Sequence, residues 1–326
     1  MNLLESLKAE IAKSPAPVGV EIGAHSLPVP GLDPLYVDRV VNFAGAKGKI
    51  DIQADGLALP IPTGELDYLC SSHVLEHLVN PLFGLCEWHR VLKPGGLLYL
   101  VVPDKRYTFD QPRALTPPAH MIADFLRATA IAEREHVREF IYDTDWERLQ
   151  PGTKPEQMPH DRQMHFDAYL KLIELGEAID IHFHTFTPES LNILLRESGL
   201  VGGIIPQFEV VGCAERYPSE RGDGIGLLLR KTGKNATTEP PATFTFMRQP
   251  DSRPGLRLVC PATLAPLQLQ SDQRLSVLGY SHSYEIKDGM PVLMPCPPIF
   301  VNRKWHRKLW RRLTLFRARL NRVLWR

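Results

Sequence analysis

The chain has 326 residues, 44% of them hydrophobic and 23% charged, which is ordinary for a globular protein and enough for one large domain or two smaller ones. No basic stretch followed by an apolar core opens it, no run of about 18 apolar residues occurs, and its five cysteines lack paired spacing. A signal peptide, a membrane-spanning helix and a disulfide framework are therefore not expected, and the setting read from this is cytoplasmic. The net charge of +1 conceals an asymmetry: 302–326 hold ten Lys or Arg and no acid, leaving 28 basic against 37 acidic residues elsewhere, a balance of −9.

In chain order, 1–13 reads as a short amphipathic helix, with Leu3, Leu4, Leu7 and Ile11 on one face suited to a sheet edge. Strands are expected over 18–22, ending in Glu21-Ile22-Gly23; over 35–38, ending in Asp38; and over 50–53. The close spacing of the first two, with Pro28, Pro30 and Gly31 between them, predicts a loop crossover with little helix. Leu66, Tyr68, Leu69 and Cys70 make a fourth strand, with Ser71, Ser72 and His73 at its carboxyl end. A helix over 78–92 follows, stopped by Lys93-Pro94-Gly95-Gly96, and 97–102 is the continuously apolar strand of a sheet covered on both faces.

Helical patterns are then expected at 119–138 and 166–179, inside some 80 residues that precede Thr187. That insertion holds Asp104, Arg106, Tyr107, Arg113, His120, His136, His160, His165, His182 and His184, and a long insertion at the carboxyl edge of a sheet usually covers a site. Thr187-Pro188-Glu189-Ser190 opens a capped helix to about Ser198 that Gly199 ends. The last two strands are read at 208–211 and 224–229.

The phrases Asp55-Gly56 with Leu59-Pro60, Leu66-Asp67, Val74-Leu75-Glu76-His77 and Arg90-Val91-Leu92-Lys93-Pro94-Gly95-Gly96 occur in one order. The chain resembles the class I S-adenosylmethionine (SAM) dependent methyltransferases, especially their small-molecule and glycan-cluster branch. The resemblance implies an α/β fold: a seven-stranded Rossmann-like sheet whose final strand runs antiparallel, here over 1–231, with 104–186 as a helical acceptor-binding insertion. It also implies S-adenosyl-L-methionine as cofactor. Glu21 and Gly23 are then expected at the methionine part, Asp38 at the ribose hydroxyls, Asp55 at the adenine with Leu57 lining its pocket, and Ser71 and Ser72 beside them. The usual glycine phrase is reduced to Gly23-Ala24-His25-Ser26.

Methyl transfer to a hydroxyl needs alignment and a base. His73, His77, His182 and His184 are the candidate bases, the last two alternating so as to share one face of an extended segment. Asp104, Arg106, Tyr107 and His120 are candidate acceptor contacts. No metal site is expected, because His160, Asp161 and His165, or His182 and His184, lack a standard ligand spacing.

Residues 232–255 read as a linker. Over 256–297 a small β-rich unit ends in a hairpin with Asp288-Gly289 at its turn. It resembles the zinc-ribbon family that activates methyltransferases, but the ligand positions fall on Cys260, Thr263, Val277 and Tyr280, so no zinc is expected. The tail, 298–326, reads as a basic amphipathic helix with Trp305, Leu309, Leu313, Phe316, Leu320, Val323 and Leu324 in one stripe. An anionic membrane surface is its expected partner, with nucleic acid the competing one.

The function expected is O-methylation of a small-molecule or lipid-linked glycan acceptor, or another envelope precursor, by an enzyme peripheral at the inner membrane face. A nucleic-acid methyltransferase and a non-catalytic scaffold are the alternatives.

Overall fold

The computed structural model describes residues 2–25, 27–43, 46–152, 158–201, 207–233, 245–246, 255–270 and 273–294. The basic tail and most of the linker lie outside the described residues. Among them, no helix is long and apolar enough to cross a membrane.

The central strands are β1 (Gly19–Ile22), β2 (Leu35–Asp38), β3 (Ile52–Gln53), β4 (Leu66–Ser72), β5 (Leu92–Pro103), β6 (Phe208–Tyr217) and β7 (Gly224–Lys231). They lie in the order β3-β2-β1-β4-β5-β7-β6. The pairings from β3 to β5 are parallel, and β7 runs antiparallel to both β5 and β6. The order reverses between β1 and β4, and such a switch opens a crevice at the strands' carboxyl ends.

The expected count of seven is exceeded, because the C-terminal unit extends the same sheet. Strands β8 (Leu267–Leu269), β9 (Arg274–Val277), β10 (Ser283–Lys287) and β11 (Met290–Val292) form an antiparallel meander that joins through β11 to β3, giving one sheet of eleven strands among the described residues. Leu293 N–H donates to Gln53 O at 2.7 Å, Val259 N–H donates to Pro60 O at 2.8 Å, and Arg257 donates to both oxygens of Glu65. Leu256, Leu258, Leu275, Val277 and Leu293 share one apolar cluster with Ile52, Leu59 and Ile61. The unit thus covers the open edge of β3, which otherwise exposes unpaired backbone groups. Of the aligned zinc-ligand positions, Val277 belongs to this core and Tyr280 is exposed. Cys260 Sγ instead meets His282 Nε2 at 3.4 Å and Tyr284 Oη at 3.3 Å.

Helix α1 (Leu3–Ile11) is capped by Asn2, whose side chain accepts from the amides of Leu4 and Glu5. Its Leu3 and Leu7 cluster with Tyr68, Cys70, Tyr99 and Leu228, so it covers a face of the central strands rather than an edge. Helix α2 (Pro81–Val91) starts later than the sequence pattern predicts. Leu75–His77 is a separate 3-10 turn, Leu78 is extended, and Asn80 caps ahead of Pro81 at the first helical position. The pattern at 119–138 divides into α3 (Pro118–Arg127) and α4 (Arg134–Asp143), because Ala128 takes φ 57° and ends the first helix. The short α5 (Trp146–Leu149) and the longer α6 (Met158–Glu174) complete the insertion, and α7 (Pro188–Glu197) opens on a Thr187/Ser190 capping box. The insertion owns an apolar cluster of Val137, Phe140, Ile141, Trp146, Phe166, Ile181 and Phe183. Its return strand-like segment is tied to the body where Phe183 N–H donates to Glu76 O at 2.8 Å.

Candidate active site

Four strand ends deliver the first residues of the site. After β1 comes Gly23, with φ 70° and its N–H donating to Val37 O at 2.9 Å. A Cβ at this position would lie 2.4 Å from Val74 Cγ2, so glycine is required by conformation and by space together. β2 ends in Asp38, half-buried, its Oδ1 accepting from Val40 N–H at 3.0 Å. Burial raises its carboxyl above the ordinary value, partly offset by the Val40 and Arg39 amides. After β3 comes Asp55, whose Oδ1 accepts from Leu57 N–H at 2.8 Å and whose Oδ2 lies 4.0 Å from Arg39 Nη1. Trp88 Nε1–H donates to Gly56 O at 3.0 Å and pins that loop, leaving Leu57 half-buried.

Glu21 is 1% exposed and its carboxylate accepts from Val29 N–H at 2.9 Å. It therefore fastens the Pro-rich crossover against β1. Burial pushes its pKa up to about 7, against the pull of the Val29 amide. Ser71 and Ser72 lie within β4, paired with Leu100 and Val101 of β5. The Ser71 hydroxyl is buried beside β1 with no hydrogen-bond partner. A glycine cradle, an orphaned hydroxyl and an acid at the next strand end fit a nucleoside-bearing cofactor at the switch point.

Beyond β4 the chain makes a cluster that the sequence pattern leaves scattered. His73 takes φ 56°, a left-handed conformation that costs a β-carbon residue of order 1 kcal/mol. Glu76, in the following turn, is 0% exposed and neither of its oxygens accepts a hydrogen bond. Its Oε1 lies 3.6 Å from His73 Nδ1, 3.8 Å from His77 Nε2 and 3.9 Å from His182 Nε2. His77 Nδ1 in turn sits 2.7 Å from Asp180 Oδ1, and His182 Nδ1 sits 2.6 Å from Asp110 Oδ2. Arg113, fully buried, bonds Asp110 at 2.7 Å and Glu139 at 3.2 Å.

Burial disfavours charge on His77, but Asp180 and Glu76 outweigh it and hold the imidazole above its ordinary value. Burial likewise raises Asp110, but His182 and Arg113 overcome it and keep the carboxyl low. Three of the four candidate histidines thus meet at one carboxylate.

The fourth does not. His184 belongs to a second group, where its ring centroid is 5.3 Å from His136 and 5.9 Å from His120, and its Nε2 meets Val79 O at 3.2 Å. It is 0% exposed, and burial, then His136, pushes its pKa down to about 3. Alternation with His182 therefore does not bring the two rings into one cluster. His120 Nε2 meets His136 Nε2 at 3.0 Å and Asp124 Oδ2 at 3.1 Å.

Asp104 and Arg106 complete each other. The guanidinium donates to both carboxylate oxygens, with Nη2 at 2.7 Å, and also reaches Glu215 at 3.1 Å. Tyr107 lies under Arg216, 3.9 Å from its ring centroid. These three side chains are held by β6 and by one another. His165 stacks on Trp146 at 5.7 Å and 7°, and the side chain of His160 lies outside the described residues. The residues that sequence reading assigned no role are Glu76, Asp110 and Asp180. Glu76 stands in the phrase Val74-Leu75-Glu76-His77 and Asp180 opens the phrase that holds His182 and His184, but the carboxylates of 110 and 180 gain meaning from their partners alone.

Residues 32–100 match a family model described as a methyltransferase domain. A curated relative in Mycolicibacterium smegmatis, named a probable S-adenosylmethionine-dependent methyltransferase, is 36% identical over 85 residues, 26% of this chain and 32% of its own length. The chain thus spans about a third of that relative. Among solved structures, a SAM-dependent methyltransferase of Thermotoga maritima, titled a possible histamine N-methyltransferase, is 17% identical, with 71% of this chain and 89% of that one covered and a TM-score of 0.35. A Burkholderia thailandensis 1,6-didemethyltoxoflavin-N1-methyltransferase with S-adenosylhomocysteine is 14% identical, with 71% and 79% covered and a TM-score of 0.36. Residues 32–100 thus carry the sequence pattern of a methyltransferase domain, and the curated relative is one named for S-adenosylmethionine dependence.

Proposed function

We propose that the whole protein is a SAM-dependent O-methyltransferase acting on a small-molecule or lipid-linked glycan, or a related envelope precursor, at the cytoplasmic membrane face. The observation that carries the reading is the convergence of Gly23, Asp38, Asp55 and His73 from four strand ends at one sheet edge. When bound, the cofactor supplies a methyl group on a cationic sulfur. Gly23 gives its methionine part backbone access, Asp38 accepts the ribose hydroxyls, and Asp55 with Leu57 bounds the adenine.

His73 is the base in this reading. Its Nδ1 faces Glu76 at 3.6 Å while its Nε2 has no hydrogen-bond partner, the polarity of an imidazole oriented by a carboxylate to take a proton. The insertion lies over this edge through Asp180 and His182, in the place of an acceptor lid. The hydroxyl acceptor and the membrane face rest on the glycan-cluster resemblance and on the ten basic residues of 302–326.

Calorimetry with S-adenosylhomocysteine tests the cofactor half: one site per chain is expected, and absence of binding sinks the reading. Transfer of labelled methyl to lipid-extractable glycan from isolated envelopes tests the acceptor half. Label appearing in RNA and not in the glycan fraction would replace it with the nucleic-acid alternative.

A further inference from the structure

Glu76, His77 and His182 present three ligand atoms around one point. Both Nε2 atoms lie 3.8–3.9 Å from Glu76 Oε1. That is too long for hydrogen bonds, whereas ligands held about 2.1 Å from a shared ion stand about 3–4 Å apart. The imidazole rings meet edge-on, at 4.7 Å and 90°, so they converge rather than stack. His182 Nδ1 is hydrogen-bonded to Asp110 Oδ2 at 2.6 Å, and Asp180 Oδ1 lies 2.7 Å from His77 Nδ1 as an ion-pair neighbour. The Asp110 contact holds the His182 proton on Nδ1 and leaves its Nε2 lone pair free, the arrangement that orients metal-ligating histidines. Glu76 is wholly enclosed and accepts no hydrogen bond, which is costly for a carboxylate unless a cation compensates it.

We propose that Glu76, His77 and His182 bind one divalent transition-metal ion, with an open coordination position facing His73. Two imidazoles and one carboxylate are the donor set of open Zn²⁺ sites and of related Fe²⁺ and Mn²⁺ sites. The three residues come from the turn after β4 and from the insertion's return segment, so the ion also fastens the lid to the body. The binding site stands on geometry alone; its chemical role rests on the methyltransferase reading. In that role the ion holds an acceptor oxygen and lowers the pKa of its hydroxyl, and the released proton passes to His73 Nε2.

The test uses full-length protein stripped by a chelator, then titrated with Zn²⁺ by calorimetry and with Co²⁺ by visible absorption. One ion per chain is expected, with a cobalt spectrum of nitrogen and oxygen ligation. H77Q/H182Q is expected to weaken Zn²⁺ binding at least 100-fold, and Asp110→Asn, which weakens the contact that orients His182, about 10–100-fold. Cys260→Ser should bind as the wild type does. A thiolate charge-transfer band would place the ion at Cys260 and overturn the proposal in the unaltered protein, whatever the variants do. So would no Zn²⁺ uptake at micromolar concentration, full uptake by H77Q/H182Q, or loss confined to His136→Gln. S-adenosylhomocysteine binding is measured on the same samples. Cofactor binding without metal uptake overturns this inference alone, and metal uptake without cofactor binding overturns the functional reading alone.

Discussion

His182 Nδ1 and Asp110 Oδ2 lie 2.6 Å apart across 72 positions of sequence, and this contact ties the two ends of the insertion to each other. Asp110 leads into α3, His182 lies on the return toward β6, and Arg113 clamps Asp110 from the far side. The insertion is therefore held by a buried polar chain as well as by its apolar cluster.

Asp110→Asn should lower unfolding free energy by on the order of 3 kcal/mol, because Arg113 loses one of its two carboxylates in a fully buried position. Urea denaturation measures it. A change below 0.5 kcal/mol would show that Glu139 alone satisfies the guanidinium.

Gly23→Ala should both destabilise the protein and abolish S-adenosylhomocysteine binding. The new methyl meets Val74 Cγ2 at 2.4 Å, an overpacking cost of about 1–3 kcal/mol, and φ 70° adds about 1 kcal/mol. Adding Val74→Ala should recover the first part and not the second, which thermal denaturation of the two variants separates.

Asp38→Ala should weaken S-adenosylhomocysteine binding by about 1–3 kcal/mol through lost charge-assisted hydrogen bonds, with little change in stability. Calorimetry reads this, and unchanged affinity would remove Asp38 from the cofactor site.

Glu21 sets a pH dependence of stability. Its pKa is about 7 in the folded chain against an ordinary 4.5. Between those values the folded chain binds this proton and the unfolded chain does not, so stability falls as pH rises through the window. Its neutral form should be worth on the order of 3 kcal/mol more at pH 4.5 than above pH 7. Glu21→Gln, which keeps an acceptor for Val29 N–H, should flatten that slope and be the more stable protein at pH 8. Parallel slopes for the two proteins would place the titration elsewhere.

His73→Gln should lower methyl transfer about 10²–10⁴-fold at neutral pH without large loss of stability. His184→Gln should do the reverse, since its ring is enclosed among His120, His136 and Val79. Equal rate losses with matched stability in both variants would return His184 to the candidate bases.

The strand ends were legible in the sequence. Apolar runs that stop at Gly23, Asp38, Asp55 and His73 define where a parallel sheet puts its ligands, and the capping signal at Thr187 placed α7, because these patterns depend on residues within one turn or strand. What the tertiary structure alone decided is partnership. Alternation puts His182 and His184 on one face, yet one meets Asp110 and Glu76 and the other meets His120 and His136. The C-terminal meander reads as separate until β11 pairs with β3, since an open sheet edge will accept any strand that its flanking core can bury. A carboxylate's function depends on what lies within about 4 Å of it, and for Glu76 those groups arrive from the end of β4 and from a segment more than a hundred residues later. Local pattern fixes elements and their order; only the closing of long loops brings a charge and its partners together.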